Sequence, residues 1–147
     1  MFLFRLARPA GSILVALVAL ATALIISHAA VAADSAASLR LKPGKHDFGK
    51  VSLMQASKPL TVTVTNKSGS APVTFTSIVA AEPFAIQDDK CSGAPLVAGS
   101  SCKVEVVFRP TDKGMVSDKN ALTFTDSSQT SPQQVELDGE GTVGSFL

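Results

Sequence analysis

Hydrophobic and polar residues alternate with a period of two through much of the chain after residue 38. The clearest alternating segments are residues 60–65, 73–76, 102–109, 122–125 and 134–138. In these segments one set of positions is filled mainly by Val, Leu or Phe and the other mainly by Thr or by charged and amide residues, the pattern of half-buried β-strands. Residues 84–86 form a shorter candidate strand, and residues 38–41 and 48–51 two edge pieces. No long 3.6-residue period follows the N-terminal region, so the pattern predicts an all-β fold.

Turn-forming residues separate these segments at intervals of roughly ten residues, which is typical of β-sandwiches. Examples are Pro43-Gly44, the 66–70 segment, Ala98-Gly99 and Asp112-Lys113-Gly114. A single flat sheet of such strands would leave one apolar face in water, so two sheets should pack face to face. The predicted organisation is one sandwich domain over residues 39–142, with a short linker at 33–38 and a C-terminal tail at 143–147.

The first 32 residues have the pattern of a secretory signal peptide. Arg5 and Arg8 precede an apolar run of about 14 residues, and Ala30-Val31-Ala32 then provides a small-residue cleavage site. The predicted cleavage follows Ala32 or Ala33. The alternative is an uncleaved membrane anchor, but the run is shorter than the roughly 20 residues that a spanning helix needs. We therefore expect a secreted or periplasmic protein without a stable membrane span.

Composition excludes several functional classes. The formal net charge is +1, and loss of Arg5 and Arg8 would lower it to about −1, so the charge gives no indication of nucleic-acid binding. Trp and Tyr are absent from the sequence, which removes the large amphipathic rings that stack on bases or anchor interfaces. Two Cys cannot build a zinc ribbon or a four-thiolate iron–sulfur cluster, and His46 is the only histidine that would remain after removal of the signal peptide, too few for a His-based zinc site. The sequence predicts neither a cofactor nor a metal.

An ordered set of motifs resembles one known family. The set comprises Leu41-Lys42-Pro43, Asp47-Phe48-Gly49-Lys50-Val51, the 61–66 segment, Cys91, Ala98-Gly99-Ser100-Ser101-Cys102, Val106-Val107-Phe108-Arg109-Pro110 and the closing 135–141 segment. It resembles the hydin-like, abnormal-spindle-type (ASH) immunoglobulin-like domain, and within it the bacterial choice-of-anchor D repeats. The resemblance implies a Greek-key sandwich of seven to eight strands, related to the PapD and major-sperm-protein folds. It implies little about function.

Cys91 and Cys102 are the strongest chemical signal. They form an even pair in a chain predicted to reach an oxidising compartment, so we expect a structural disulfide. Cys102 is in phase with Val104 and Val106 and should face the core. The alternative is a redox-active pair, but the spacing is not C-x-x-C.

Other candidate residues favour structural roles. Asp47-Phe48-Gly49 lacks the companion motifs of a kinase, so Phe48 is predicted to plug the sandwich edge and Gly49 to permit a tight bend. His46 is predicted in an exposed lead-in to a strand. Asp88-Asp89 lacks a calcium-loop pattern and reads as a solvated turn. Asn66-Lys67-Ser68 is a formal glycosylation sequon whose Asn also suits a turn.

These observations favour an exported, non-catalytic module that binds an unidentified envelope or extracellular protein or has a structural role. The alternative is a single-domain PapD-like chaperone or assembly factor that acts by β-strand addition. A small hydrolase is disfavoured because nucleophile motifs are absent from the sequence. Docking is expected at the outermost N-terminal strands, through backbone pairing at an open edge. The candidate docking residues are Leu39, Arg40, Leu41, Phe48, Lys50 and Val51.

Overall fold

The computed structural model describes residues 36–67 and 70–144. The predicted signal peptide, residues 33–35 of the linker and residues 145–147 of the tail lie outside the described residues.

The described residues form eight β-strands, which confirms the all-β prediction. They are β1 (Leu39–Lys42), β2 (Lys45–Ser52), β3 (Leu60–Asn66), β4 (Phe75–Ala80), β5 (Phe84–Asp89), β6 (Ser101–Phe108), β7 (Gly114–Asp126) and β8 (Gln133–Thr142). Two strand boundaries differ notably from the sequence prediction. Val73 precedes β4 and forms an isolated bridge with Leu96, and Gly114, predicted in a turn, begins a strand of 13 residues.

The strands form two four-stranded sheets, in the orders β1-β3-β6-β5 and β2-β8-β7-β4. Strand β2 runs parallel to β8, and the remaining strand pairs among the described residues are antiparallel. Both N-terminal strands are therefore edge strands, each in a different sheet. The chain passes from one sheet to the other at the turn formed by Pro43 and Gly44.

The core lies between the inner faces of the two sheets. Val62 and Val64 of β3 are fully buried, and their outward neighbours are Thr, as the period-two pattern predicts. The same alternation holds in β8 and in most of β6 and β7, where Val107 and Ala121 are buried as well. Fully buried side chains there are Val104, Val106 and Phe108 of β6, Leu122 and Phe124 of β7, and Val135 and Leu137 of β8.

An aromatic cluster closes one part of this core. The ring centroids of Phe84 and Phe108 lie 5.2 Å apart, and Phe48 lies 5.9 Å from Phe84 and 6.1 Å from Phe108. Gly139 of β8 lies directly against it, because a Cβ atom there would be 2.7 Å from Cε1 of Phe108. The close approach of sheet and ring therefore requires glycine at this position.

Asn66 is an anchor in the core rather than a turn residue. It ends β3 with no exposed surface, and its Nδ2 donates hydrogen bonds to the carbonyl oxygens of Ala71 at 2.8 Å and Leu96 at 2.9 Å. The prediction that Asn66 of the sequon serves as a turn residue is thus wrong, because Asn66 is the last residue of β3 and is buried. The nitrogen that a glycan would modify joins two loops of the sandwich instead.

Candidate functional site: the open edge of the sandwich

The predicted disulfide is present. Cys91 and Cys102 are joined, with Cα atoms 5.1 Å apart and a sequence separation of 11 residues. Cys91 is buried, whereas Cys102 is half-buried and packs against the core. The bridge ties the segment between β5 and β6 to the strand that follows it.

Asp89 orders the start of this disulfide loop. The prediction of a solvated turn at Asp88-Asp89 is wrong, because both residues are half-buried at the end of β5. Oδ1 of Asp89 accepts hydrogen bonds from the amides of Cys91 at 2.7 Å and Ser92 at 3.1 Å, and Oδ2 accepts one from the Ser92 hydroxyl at 2.6 Å. Burial alone would raise the pKa of Asp89, but these hydrogen bonds outweigh it and hold the pKa below the usual value of an aspartate.

His46, Phe48 and Gly49 have structural positions in β2. His46, predicted in an exposed lead-in, is half-buried within the strand, and its ring packs edge-on against Phe48 at 4.8 Å. Phe48 plugs the sandwich edge as predicted. Gly49 has a φ of +67° at a shift in strand register, and its amide donates to Oδ1 of Asp47 at 2.8 Å. The motif is therefore a β-bulge that turns Phe48 into the core.

Strand β1 has backbone groups along one side that no other residue in the described ranges 36–67 and 70–144 pairs with. The amide of Lys67 donates to the carbonyl of Ser38. Because amide directions alternate along an antiparallel pair, Arg40 and Lys42 face β3, and the N–H and C=O groups of Leu39 and Leu41 point away from it. These outward groups are the ones that an added strand would pair with.

Strand β2 has a similar free side. The amide of Leu53 donates to the carbonyl of Thr142 in β8 at 2.8 Å. By the same alternation, the N–H and C=O groups of Lys50 point away from β8. Its ammonium is exposed and lies 3.8 Å from a carboxylate oxygen of Glu140.

The six candidate docking residues separate into two groups. Arg40 and Lys50 have exposed side chains. The other four are half-buried and pack against the core, namely Leu39, Leu41, Phe48 and Val51. Their side chains therefore contribute to the fold, and what the edge offers a partner is its backbone.

Sequence reasoning missed two features of the sandwich edges. First, β4 and β5 are edge strands as well, and Val79 of β4 is 53% exposed. Second, a recess of about 680 Å³ lies between β2, the 55–59 segment and the beginning of β3. We call it the β2–β3 recess. The sequence contained one indication of the recess, the turn at Pro43-Gly44. This turn ends β1 at Lys42, before β1 has paired with the first residues of β3.

The part of the chain that the structure describes shows no metal centre. None of its His, Cys, Asp and Glu side chains gather in groups of three or more that could hold an ion. Among the same residues, no helix is long and apolar enough to cross a membrane.

Comparison with known proteins places this geometry in a family. A sequence model described as the HYDIN/CFA65/VesB-like, Ig-like domain matches residues 37–140. A search of curated proteins finds no match.

Solved structures share the fold at low sequence identity. A protein of unknown function from Porphyromonas gingivalis W83 aligns with a TM-score of 0.58 at 13% identity, over 76% of this chain and 50% of its own. The secreted serine protease VesC from Vibrio cholerae aligns with a TM-score of 0.50 at 23% identity, over 72% of this chain and 23% of its own. The ASH/PapD-like domain 7 of human CEP192 aligns with a TM-score of 0.52 at 10% identity, over 75% of this chain and 89% of its own. The chain thus spans half or less of the first two proteins.

Proposed function

Since the chain belongs to the HYDIN/CFA65/VesB-like family of immunoglobulin-like domains, we propose that it is an exported, non-catalytic module that binds another protein by strand addition. The observation that carries this proposal is the unpaired backbone at two neighbouring edges. Leu39 and Leu41 of β1, and Lys50 of β2, direct N–H and C=O groups outward. Such edges are templates for pairing with an extended segment of another chain.

The surroundings of the polar side chains support a non-catalytic role. The ring of His46 is held against Phe48, and Asp47 is engaged by the amide of Gly49. Asp89, the aspartate with the most hydrogen bonds at the disulfide loop, accepts them from its own loop. A general base would need to reach a nucleophile or substrate instead. VesC and the related VesB are proteases, but the aligned regions are 23% and 32% of their chains, and the likeness concerns the fold.

An extracytoplasmic location has two supports. The Cys91–Cys102 disulfide is of the kind that persists in oxidising compartments. The N-terminal 32 residues have the composition of a signal peptide, and VesC, which shares the fold, is a secreted protein. We propose the periplasm or the extracellular space as the site of action.

Proline substitution tests the proposed edge. Leu39→Pro and Lys50→Pro each remove one outward N–H and leave the ladder hydrogen bonds to β3 and β8 in place. Leu39→Ala and Lys50→Ala are matched controls, because they shorten the side chain and keep the N–H.

The four variants and the native protein would be used to capture partners from an envelope extract, after circular dichroism has shown that each variant is folded. A partner identified by mass spectrometry should bind the native protein and Leu39→Ala, should bind Lys50→Ala at most a few-fold more weakly because only one exposed ion pair is lost, and should be lost from at least one proline variant. Full retention by both proline variants, or the absence of any reproducible partner, would contradict the proposal.

A further inference from the structure

Strand β3 has an uncovered beginning. It spans seven residues, whereas β1 spans four and pairs only with the stretch from Thr63 to Asn66. The amide of Asn66 donates to Ser100 on the β6 side. By alternation the N–H and C=O groups of Thr61 therefore point to the opposite side, where β1 does not reach. Because β1 is shorter than β3, a gap wide enough for one short strand lies beside the beginning of β3.

The gap opens into the β2–β3 recess, which has an apolar floor. Phe48, Val51 and Leu60 line the recess, and all three are half-buried and pack against the core from the other side. The 55–59 segment is fixed beside it, because Ser57 exchanges hydrogen bonds with the backbone of Phe108 at 2.9 Å in both directions. The three uncovered residues of β3 correspond to about 10 Å of strand, so the recess fits a short extended segment.

The charge of the recess is positive. Lys50 and Lys58 line it and both are exposed. The carboxylate of Asp47, also in the lining, offsets one of these two charges and leaves one net positive charge, and the contact of Lys50 with Glu140 is long at 3.8 Å. A second copy of this chain that docked recess to recess would bring the same lysines and repel. A segment with carboxylates would be attracted.

We propose that the β2–β3 recess binds an extended segment of a partner protein, three to four residues long, with apolar side chains on one face and acidic residues at its ends. The apolar side chains contact Phe48, Val51 and Leu60, the backbone pairs with Thr61, and the acidic ends contact Lys50 and Lys58. This inference rests on the proposed function and assigns the partner's chemistry.

Two fluorescent peptides test the charge requirement. Both contain the core Val-Thr-Val, flanked by two Glu residues in one and by two Lys residues in the other. Fluorescence anisotropy with the exported protein should show tighter binding of the Glu-flanked peptide. The double variant Lys50→Glu/Lys58→Glu should weaken that binding about tenfold, since two exposed ion pairs are lost. The double variant Lys103→Glu/Lys119→Glu, with the same change in charge at exposed positions outside the recess, should weaken it less than threefold.

Amide NMR locates the bound peptide. The signals of Thr61 and Lys50 should shift on titration with the Glu-flanked peptide, and the shifts should be absent in Lys50→Glu/Lys58→Glu. Equal binding of the two peptides, no binding at millimolar concentration, or shifts confined to β4 and β5 would overturn the inference. So would dimerisation of the native protein that the double variant abolishes, because a second copy would then be the occupant. Each of these results is distinct from failure of the proline test at Leu39 and Lys50, which concerns edge binding as such.

Discussion

Replacement of Asn66 by alanine should destabilise the domain more than its small change in volume suggests. Asn66 is fully buried, and its Nδ2 donates to two carbonyl oxygens that belong to different loops. Its backbone carbonyl also accepts a hydrogen bond from Gly99. The residue therefore joins the end of β3 to the segment before β4 and to the disulfide loop.

The expected loss of stability depends on which hydrogen bonds the carbonyls of Ala71 and Leu96 retain when the Asn66 side chain is removed. The carbonyl of Leu96 keeps a second hydrogen bond, from the amide of Val73 at 3.0 Å, so its cost is that of one ordinary hydrogen bond, about 1 kcal/mol. The carbonyl of Ala71 is part-buried and loses the bond from Asn66, which costs about 1–2 kcal/mol. Oδ1 of Asn66 is itself buried without a hydrogen-bond partner among the residues that the structure describes, and its removal returns about 1 kcal/mol. The net decrease in the free energy of unfolding should be about 1–2 kcal/mol.

Urea denaturation of Asn66→Ala measures this value directly. The matched control is Asn120→Ala, since Asn120 is exposed in β7 and should change stability by less than about 0.5 kcal/mol. Asn66→Asp should be worse than Asn66→Ala at neutral pH, because a carboxylate would face the two carbonyl oxygens, and the deficit should shrink in acid as the carboxylate gains a proton. If Asn66→Ala is no more destabilising than Asn120→Ala, the anchoring role is refuted.

The remaining predictions concern the disulfide, a core glycine, acid stability and processing. Cys91 and Cys102 should resist alkylation until reduced, and reduction should lower the free energy of unfolding by about 3 kcal/mol for a loop of this length; two reactive thiols in the exported protein would contradict this. Gly139→Ala should cost about 1–3 kcal/mol, because its Cβ would meet the buried Phe108 ring, whereas Gly44→Ala, with open space around it, should be nearly neutral in the same thermal melt. Because the folded-state pKa of Asp89 is lowered, its stabilisation exists above the unfolded-state pKa and is lost as the pH falls through the folded-state pKa, so the gap in stability between native protein and Asp89→Asn should close in acid. Intact mass of the exported protein should match a chain that begins at Ala33 or Asp34, and a membrane fraction that retains Met1 would favour the anchor.

The central strands were predictable from the sequence because one face of each strand is buried and the other faces water, and residue polarity alternates accordingly. Val62 and Val64 face a dry interior and the intervening Thr side chains face water, so burial and alternation coincide. The edges were less predictable. Lys45 begins β2 although it is charged, because its ammonium lies on the outer face, 2.7 Å from Glu136 and 3.0 Å from Asp138 of β8.

Strand β7 likewise contains strand residues that are not hydrophobic, here over about half of its length. Its first half is mostly exposed and polar, and a register shift between Asp118 and Leu122 precedes the buried second half. A hydrophobicity pattern reports only the second half. The first half is held by pairing with β8, from Gly114 opposite Gly141 to Asp118 opposite Leu137. Such pairing depends on the neighbouring strand rather than on side-chain burial, so the local sequence does not reveal it.

The β2–β3 recess could not have been predicted from local pattern, because it arises from a difference in length between strands of one sheet. Strand β1 ends at Lys42, where the chain crosses to the other sheet, and β3 begins three residues before it is covered. The gap would admit water to the core if Phe48 did not fill the edge against Phe84 and Phe108. The bulge at Gly49 turns Phe48 inward beside this gap, and the short β1 leaves the outward backbone groups of Thr61 without a strand partner among the described residues. The motif Asp47-Phe48-Gly49 thus closes the aromatic cluster of the core and also borders the edge at which we propose binding.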